Sequence, residues 1–246
     1  MALAALLVLP SAAPAQDAES ASDAQQTTAI EGALKDLFAD PGPQPGPDLF
    51  GYDAASIGAT PMEDAWRGAA SGGELSGPWA DLVGRIGGLP AWTQAEAVNA
   101  FVNRRIAVAD DPAVYGVADH WASLSETIAE GRGDCEDFAI AKMQLLIDAG
   151  VSPRDLYLVL VRDTVREADH AVLAVRDGER LWILDSANER MLGAEQVTRY
   201  RPIVGFSGDA RWTFGHRTTQ VAAAPIAVQP AAEPSEPAAS SEPPFH

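Results

Sequence analysis

The spacing of apolar residues predicts a helical part of the chain followed by a sheet. Residues 75–106 repeat apolar side chains mainly at helical intervals. Residues 136–149 are apolar on nearly every side, with only Lys142 and Gln144 interrupting the middle, which predicts a buried helix. Residues 156–162, 170–176 and 180–185 are short runs with the composition of strands. A helix followed by antiparallel strands is typical of an α+β domain.

Capping signals locate the ends of two further helices. Thr93 is followed three residues later by Glu96, and Ser123 by Glu126, so each pair predicts a capping box at a helix start. Gly131 predicts the end of the second of these helices. The buried helix begins only a few residues later.

Three polar residues stand at the ends of the predicted elements. Cys135 begins the buried helix, His170 begins the second strand and Asp185 ends the third. Asp177 and Gly178 form a hairpin signal; His170 lies seven residues before this pair and Asp185 seven after it, which places the two in register. Because a helix start favours a thiolate and a carboxylate can orient an imidazole, these residues indicate a Cys-His-Asp triad.

Each of these residues also has a structural explanation. A lone cysteine or histidine is often a packing residue, and Asp185 alone is equally consistent with capping the turn that follows it. The coincidence of all three at element ends favours the triad. His120 and His216 have no acid placed opposite them by a turn, and His246 lies in the C-terminal tail, so they are weaker candidates.

Composition narrows the classes of function. The chain has 246 residues, of which 47% are hydrophobic, and this suits one domain with a real core. A net charge of −18 argues against a nucleic-acid partner, since that role selects clustered Lys and Arg. The single cysteine excludes an intramolecular disulfide. No segment reaches the roughly 20 apolar residues that span a bilayer, so we expect no stable membrane insertion.

The two ends of the chain differ in composition from the middle. Residues 1–15 resemble a secretory signal peptide, although no Lys or Arg precedes the apolar run; the alternative is an Ala-rich disordered arm. Residues 16–48 form a polar arm with a short amphipathic helix over 28–38 and a Pro/Gly linker. We expect the folded domain at 49–216 and a disordered Pro/Ala/Glu-rich tail at 217–246.

Acidic residues surround the cysteine. Asp134, Glu136 and Asp137 are its neighbours, and negative charges raise the pKa of a thiol, so this setting opposes a reactive thiolate. The helix dipole favours acids at a helix start, which is sufficient to explain Asp137. For Asp134 and Glu136, the residues alone leave a structural and a functional explanation open.

Three segments carry a resemblance to a known family. "YGVADHWASLSETIAEGRGDCEDFAIAK", "DHAVLAV" and "LWILDSANERM" resemble the bacterial transglutaminase-like cysteine proteinases, whose best-known members are LapG-type periplasmic proteases. The Gly-Asp-Cys-Glu-Asp core with the upstream Trp121 is the most specific part. The resemblance implies a papain/transglutaminase-like fold, with a helical N-terminal part and a central helix packed on a small antiparallel sheet. It also implies that Cys135, His170 and Asp185 form the catalytic triad.

The same resemblance implies a cofactor, a substrate and a partner. It implies Ca²⁺ held by Asp134 and Glu136, with Asp137 as a further ligand. A bound cation would reverse the unfavourable field near the thiol. Two side chains cannot supply six to eight oxygens, so the remaining ligands must come from Asp137, backbone carbonyls, water or another loop, where Asp119 is a candidate. By analogy with transglutaminases, the indole N–H of Trp121 is a candidate oxyanion donor, and a core position is the alternative.

The implied substrate is a large repetitive surface adhesin, cut near its N-terminus to control biofilm attachment. The implied partner is an inner-membrane cyclic-di-GMP receptor that sequesters the protease in the periplasm. Two other functions fit the same residues. One is acyl transfer to an amine or peptidoglycan hydrolysis by the same triad, and the other is a non-catalytic binding module with a structural thiol.

Overall fold

The computed structural model describes residues 45–70 and 72–216. The predicted signal peptide at residues 1–15, the predicted helix at 28–38 and the predicted tail at 217–246 lie outside these residues. The division of the chain at residues 15, 48 and 216 therefore stays a prediction. Within the described part of the chain, no helix combines the length and apolar character needed to cross a bilayer.

A seven-stranded antiparallel sheet forms the centre of the protein. Its strands are β1 (Tyr52–Ile57), β4 (Leu156–Asp163), β5 (Ala168–Asp177), β6 (Arg180–Asp185), β7 (Asn188–Gly193), β8 (Tyr200–Ser207) and β9 (Ala210–His216). They lie in the order β1-β9-β8-β4-β5-β6-β7. A separate parallel pair joins β2 (Ala107–Val108) to β3 (Arg132–Gly133). This arrangement confirms the α+β class.

Within residues 45–70 and 72–216, six helices precede the main part of the sheet. They are α1 (Glu63–Ala69), α2 (Gly77–Ile86), α3 (Ala91–Arg105), α4 (Asp111–Val114), α5 (Leu124–Glu130) and α6 (Cys135–Asp148). Helix α6 is the predicted buried helix, and it begins at the cysteine as expected. Short 3₁₀ turns occupy Pro153–Asp155 and Ala194–Gln196.

The two capping predictions had different outcomes. Ser123 caps α5 in a capping box with Glu126, and Gly131 ends this helix with a φ of 64°, as predicted. The prediction at Thr93 was wrong, because α3 begins at Ala91 directly after Pro90. Pro90 is the N-cap of this helix; its ring fixes φ, and it makes no side-chain cap hydrogen bond.

The two faces of the sheet bury different sets of side chains. On one face, helix α6 contributes Phe138, Leu145 and Leu146 to a core that includes Leu158 of β4 and Leu173 of β5. The opposite face has its own cluster, which includes Val159, Val172 and Trp212. Each fully buried side chain of this size contributes about 1.5–3 kcal/mol. Apolar packing on this scale holds the start of α6 in a defined position against β5.

The sheet is larger than the sequence pattern indicated. Strands β4, β5 and β6 confirm the three predicted runs, whereas β1, β7, β8 and β9 were not identified. In β8, Pro202 and Gly205 argue against a strand, since proline cannot donate to the ladder. Pro202 is accommodated beside β4 at an irregularity in register between Leu160 and Val161.

The β5–β6 hairpin differs in register from the prediction. Asp177 pairs with Arg180, so the loop consists of Gly178 and Glu179 and not of Asp177 and Gly178. Continuing this register would place residue 187, and not Asp185, opposite His170. Side chains alternate between faces with a period of two, so this shift of two residues leaves His170 and Asp185 on the same face of the sheet.

Candidate active site

Cys135 occupies the first turn of α6, where it is half-buried. Asp134 is the N-cap of this helix, and its Oδ1 accepts a hydrogen bond from the N–H of Glu136 at 3.2 Å. The thiol Sγ donates to Oε2 of Glu136 at 2.9 Å. The thiol proton therefore lies between the sulfur and a carboxylate.

The surroundings of Cys135 oppose its ionisation. Burial, and then the charge and hydrogen bond of Glu136, raise the pKa of the thiol well above its usual range. A hydrogen bond from the backbone N–H of Ala171 acts in the opposite direction. The expected effect of the neighbouring acids is thus confirmed in direction, with burial as the larger cause. The contact with Ala171 places the sulfur beside β5, at the residue that follows His170.

His170 and Asp185 form a direct pair. His170 Nε2 lies 2.8 Å from Asp185 Oδ1, and both side chains are about nine-tenths buried. The hydroxyl of Tyr200 donates to Asp185 Oδ2 at 2.6 Å, and the N–H of Ala187 donates to Oδ1 at 2.9 Å. Burial alone would raise the pKa of Asp185, but these hydrogen bonds outweigh it and lower that pKa below its usual range. The carboxylate is therefore ionised, and the second ring nitrogen of His170 is left for other partners.

Residues that the sequence analysis did not single out hold the turn after Asp185. Asn103 of α3 donates from Nδ2 to the carbonyls of Asp185, at 2.9 Å, and Asn188, at 3.1 Å. Asn99, one helical turn earlier, donates to the carbonyls of Asn188 and Glu189. Tyr200 is the other unrecognised contact of Asp185. Spacing along the chain carries no signal for these contacts, since each spans more than ten residues.

Acidic side chains converge at the start of α6. Ligand atoms of Asp134, Cys135 and Glu136 lie within 4.8 Å of one another, and so do carboxylate oxygens of Asp111, Asp134 and Asp137. Asp111 is 3% exposed, and its Oδ1 has no hydrogen-bond partner among the described residues. Asp119, the candidate from the sequence, is exposed and belongs to neither group within the described chain, so Asp111 takes its place in the cluster.

The cluster is electrostatically strained without a cation. Burial and the charges of Glu136, Asp137 and Asp111 raise the pKa of Asp134 to about 8. Burial also raises the pKa of Asp137 to about 6, despite hydrogen bonds from the N–H groups of Ala122 and Asp134. Those two hydrogen bonds give Asp137 a structural role at the helix start, as the helix-dipole explanation anticipated.

Gly133 and Trp121, which precede Cys135 in the chain, are both closely packed. A Cβ on Gly133 would collide with the Asp137 carboxylate, so only glycine allows this close approach. Trp121 is 6% exposed and packs edge-on against Phe206, with ring centroids 5.6 Å apart. The structure places Trp121 in the core, next to the segment that contacts Asp137, and its oxyanion role stays a prediction.

Comparisons with known proteins give the family and the similar structures. The profile of the bacterial transglutaminase-like cysteine proteinases (BTLCP) matches residues 89–212. The structure of Legionella pneumophila LapG is similar, with 31% identity, 55% of this chain and 74% of that chain covered, and a TM-score of 0.50. A calcium-bound structure of that protein has 29% identity and a TM-score of 0.51, with 62% of this chain and 87% of that chain covered. An EGTA-treated structure has 27% identity and a TM-score of 0.52, with 66% of this chain and 90% of that chain covered. No curated protein matches the chain.

Proposed function

The chain belongs to the bacterial transglutaminase-like cysteine proteinases, and we propose that it is a calcium-dependent endopeptidase whose triad is Cys135, His170 and Asp185. The observation that carries the proposal is the 2.8 Å contact between His170 Nε2 and Asp185 Oδ1, on the strand whose next residue contacts the Cys135 sulfur. A nucleophile, a base and an orienting carboxylate thus converge at one end of β5.

Each residue has a defined role in the proposed reaction. The Cys135 sulfur attacks the peptide carbonyl carbon, and His170 takes the thiol proton. Asp185 holds the imidazole with its proton on Nε2, so that Nδ1 faces the reaction. His170 then protonates the leaving amine as the C–N bond breaks. Water hydrolyses the thioester, which releases the carboxylate and restores the thiol.

The oxyanion needs hydrogen-bond donors at the same place. The backbone N–H of Cys135 is at a helix start, where such groups are free of intrahelical partners. We assign it as one donor, and the indole N–H of Trp121 as the second. Trp121→Phe keeps an aromatic ring at this position but removes the indole donor, so this assignment expects a fall in kcat with KM little changed.

The acidic cluster fits a calcium ion. Calcium prefers six to eight oxygen ligands, and the cluster offers carboxylates from Asp111, Asp134, Glu136 and Asp137. The buried Oδ1 of Asp111, which lacks a partner among the described residues, is a free ligand of this kind. When bound, the ion would supply positive charge that offsets the carboxylates beside the thiol. Calcium-bound and EGTA-treated structures of Legionella pneumophila LapG support this part of the proposal.

The proposed substrate and cellular setting are those that the family resemblance implies. We propose that the protease acts in the periplasm after export by residues 1–15. There it would cut a large repetitive surface adhesin near the adhesin's N-terminus, and so control biofilm attachment. An inner-membrane cyclic-di-GMP receptor is the proposed sequestering partner. Dissociation of the protease from the receptor would then allow it to cleave and release the adhesin.

One experiment tests the reaction. Purified protein with calcium is incubated with an adhesin N-terminal fragment, with casein plus a primary amine, and with muropeptides, and the products are identified by mass spectrometry. We expect one internal cut in the adhesin fragment, with no amine incorporated. Cys135→Ala should abolish it, and retained cleavage in that variant would refute the mechanism. Amine-labelled casein or cleaved muropeptides would instead support acyl transfer or peptidoglycan hydrolysis.

A second experiment tests the metal. In the double variant Asp134→Ala, Glu136→Ala, the protein should fold, bind no calcium in calorimetry and lose its calcium response. Full activity of this variant in EGTA would contradict calcium dependence while leaving the triad intact.

A further inference from the structure

A cavity of about 270 Å³ lies beside the carboxylate of Asp185. Asp185 and Tyr200 belong to its lining, and the apolar side chains of Ile183, Leu192 and Val197 line it as well. This volume is below the roughly 300–1,000 Å³ that is typical of pockets for cofactors and drug-sized ligands. The cavity therefore suits one side chain or another group of similar size.

Three arginines from different parts of the sheet line the same cavity. Arg166 lies in the turn between β4 and β5, Arg190 lies on β7, and Arg199 immediately precedes β8. The chain as a whole has 17 Lys and Arg residues against 35 Asp and Glu residues, so its average field attracts cations. Three arginines in one cavity oppose this average and create a local site for an anion. We call this cavity the arginine pocket.

The charges of the arginine pocket are only partly balanced. Asp163 Oδ2 lies 3.8 Å from Arg166 Nε and 3.6 Å from Arg199 Nε. Asp185 Oδ2 lies 3.6 Å from Arg199 Nη2. These separations are longer than hydrogen bonds. The guanidinium of Arg190 has neither a hydrogen bond nor an ion pair to another residue of the described chain. The pocket thus keeps N–H donors whose planar fork matches a carboxylate.

The arginine pocket is connected directly to the triad. Tyr200 donates its hydroxyl hydrogen to Asp185 Oδ2 and accepts a hydrogen bond from Arg199 Nη2, both at 2.6 Å. Asp185 in turn contacts His170. An endopeptidase holds an extended polypeptide, in which side chains alternate in direction and advance about 3.3 Å per residue. A segment that passes the triad can therefore place a nearby side chain in the pocket.

We propose that the arginine pocket binds the carboxylate of an acidic side chain in the polypeptide substrate. A glutamate fits both parts of the lining. Its methylene groups pack against Ile183 and Leu192, and its carboxylate meets the guanidinium groups of Arg166 and Arg190. The proposal rests on the proposed endopeptidase function and adds a subsite that determines specificity. It involves no covalent step.

Binding is tested without cleavage, in full-length Cys135→Ala protein in EGTA. The probe is a dye-labelled peptide of six Ala-Glu repeats, and the control peptide has Gln in place of every Glu. EGTA prevents a calcium ion from bridging the peptide to the acidic cluster. Fluorescence anisotropy measures Kd at low ionic strength, where exposed charge pairs are least screened.

Arg190→Gln and Arg166→Gln each remove one charge from the pocket. Arg201→Gln is the matched control, because Arg201 is exposed on β8, two residues after Arg199, and is not part of the lining. We expect the Glu peptide to bind at least about tenfold more tightly than the Gln peptide, and each pocket variant to weaken it about fivefold. Arg201→Gln should change Kd by less than about twofold.

Two results of this measurement overturn the proposal. One is an affinity for the Glu peptide that is no higher than that for the Gln peptide. The other is an equal loss of affinity in Arg190→Gln and Arg201→Gln, because a general positive field and not a defined site would then hold the peptide.

Kinetics with the adhesin fragment and calcium extend the test to the substrate. With Cys135 intact, Arg190→Gln should raise KM several-fold with a smaller change in kcat, and Arg201→Gln should change neither. Cleavage with an unchanged KM in Arg190→Gln overturns the proposal. If no substrate is cut but the Glu peptide still binds through Arg190, the proposed protease function fails and the carboxylate site stands. The two failures are therefore distinguishable.

Discussion

His170 Nε2 and Asp185 Oδ1 lie 2.8 Å apart, although the two residues are not opposite each other in the β5–β6 hairpin. The contact is diagonal across the ladder, which long side chains on one face can span. The Tyr200 hydroxyl and the N–H of Ala187 fix the carboxylate from other sides. The pair is therefore held by tertiary contacts as well as by the hairpin.

Asp185→Asn tests the role of this carboxylate. The amide has the same shape but is neutral and has only one acceptor oxygen. It therefore cannot accept hydrogen bonds from both His170 Nε2–H and the Tyr200 hydroxyl. We expect kcat/KM for a cleavable peptide to fall on the order of 10²- to 10⁴-fold. Asp169→Asn is the control, since Asp169 is exposed and forms a surface ion pair with Arg162, and it should change kcat/KM by less than about twofold. Equal effects of the two substitutions would contradict the triad.

Tyr200→Phe removes one hydrogen bond to Asp185 at nearly constant volume. The native pKa of Asp185 is below its unfolded value, so its stabilisation is present above about pH 4 and is lost as pH falls through the native pKa. We expect a loss of about 1–3 kcal/mol in the free energy of unfolding at pH 7, shrinking below about pH 4. Urea unfolding across this range measures it.

Tyr157→Phe is the control for that series. Tyr157 is a buried tyrosine whose hydroxyl accepts from Arg176 Nε at 3.1 Å and does not touch Asp185. The loss of unfolding free energy caused by Tyr157→Phe should not decrease below pH 4. A Tyr200→Phe cost that is equally independent of pH would show that the hydroxyl does not stabilise the charged carboxylate.

Asn103→Ala should loosen the turn that carries Asp185. It deletes the two hydrogen bonds to the carbonyls of Asp185 and Asn188. We expect a loss of about 1–3 kcal/mol in unfolding free energy, with a several-fold lower kcat because the carboxylate is less well positioned. Gln94→Ala on the same helix removes a buried hydrogen bond to Leu89 and should cost stability alone. Equal kcat values for the two variants would contradict a positioning role for Asn103.

The acidic cluster predicts a pH-dependent response to calcium. The native pKa values of Asp134, about 8, and Asp137, about 6, lie above their unfolded values. Their contribution to stability is therefore present at low pH and is lost as pH rises through these values. In EGTA, Tm should fall between pH 5 and pH 8, and calcium should raise Tm more at pH 8 than at pH 5. Differential scanning calorimetry measures both.

The choice between Asp111 and Asp119 as ligand can be tested in the same experiment. Asp111→Asn should reduce the calcium-induced increase in Tm, because Asp111 belongs to the cluster. Asp119→Asn should leave it unchanged, since Asp119 is exposed outside the two groups of described residues. The reverse result would exclude the cluster as the calcium site.

Glu136→Gln should make the thiol more reactive when calcium is absent. Glu136 Oε2 accepts a hydrogen bond from Cys135 Sγ at 2.9 Å, and its charge raises the pKa of Cys135. Removing the charge favours the thiolate, so alkylation by iodoacetamide in EGTA at pH 7 should be about tenfold faster. Glu130→Gln, at the exposed end of α5, is the control and should have no effect. Slower alkylation of Glu136→Gln would contradict this electrostatic account.

The local elements and the candidate chemistry are predictable from the amino-acid sequence alone. Helix α6, the three strands β4 to β6, the capping box of α5 and the three triad candidates all follow from periodicity, capping residues and spacing. These signals are readable because they depend on neighbours within a few residues. The same locality explains the failure at Thr93, where the preceding Pro90 sets the helix start.

Which distant residues meet depends on how the elements pack in three dimensions. Tyr200 and Asn103 both reach Asp185, and Asp111 joins the acidic cluster. The tertiary structure also set the two-residue shift of the β5–β6 register, which the hairpin signal could not resolve. These relationships depend on packing between elements far apart in the chain, where burial and electrostatics act over distances that no local pattern records.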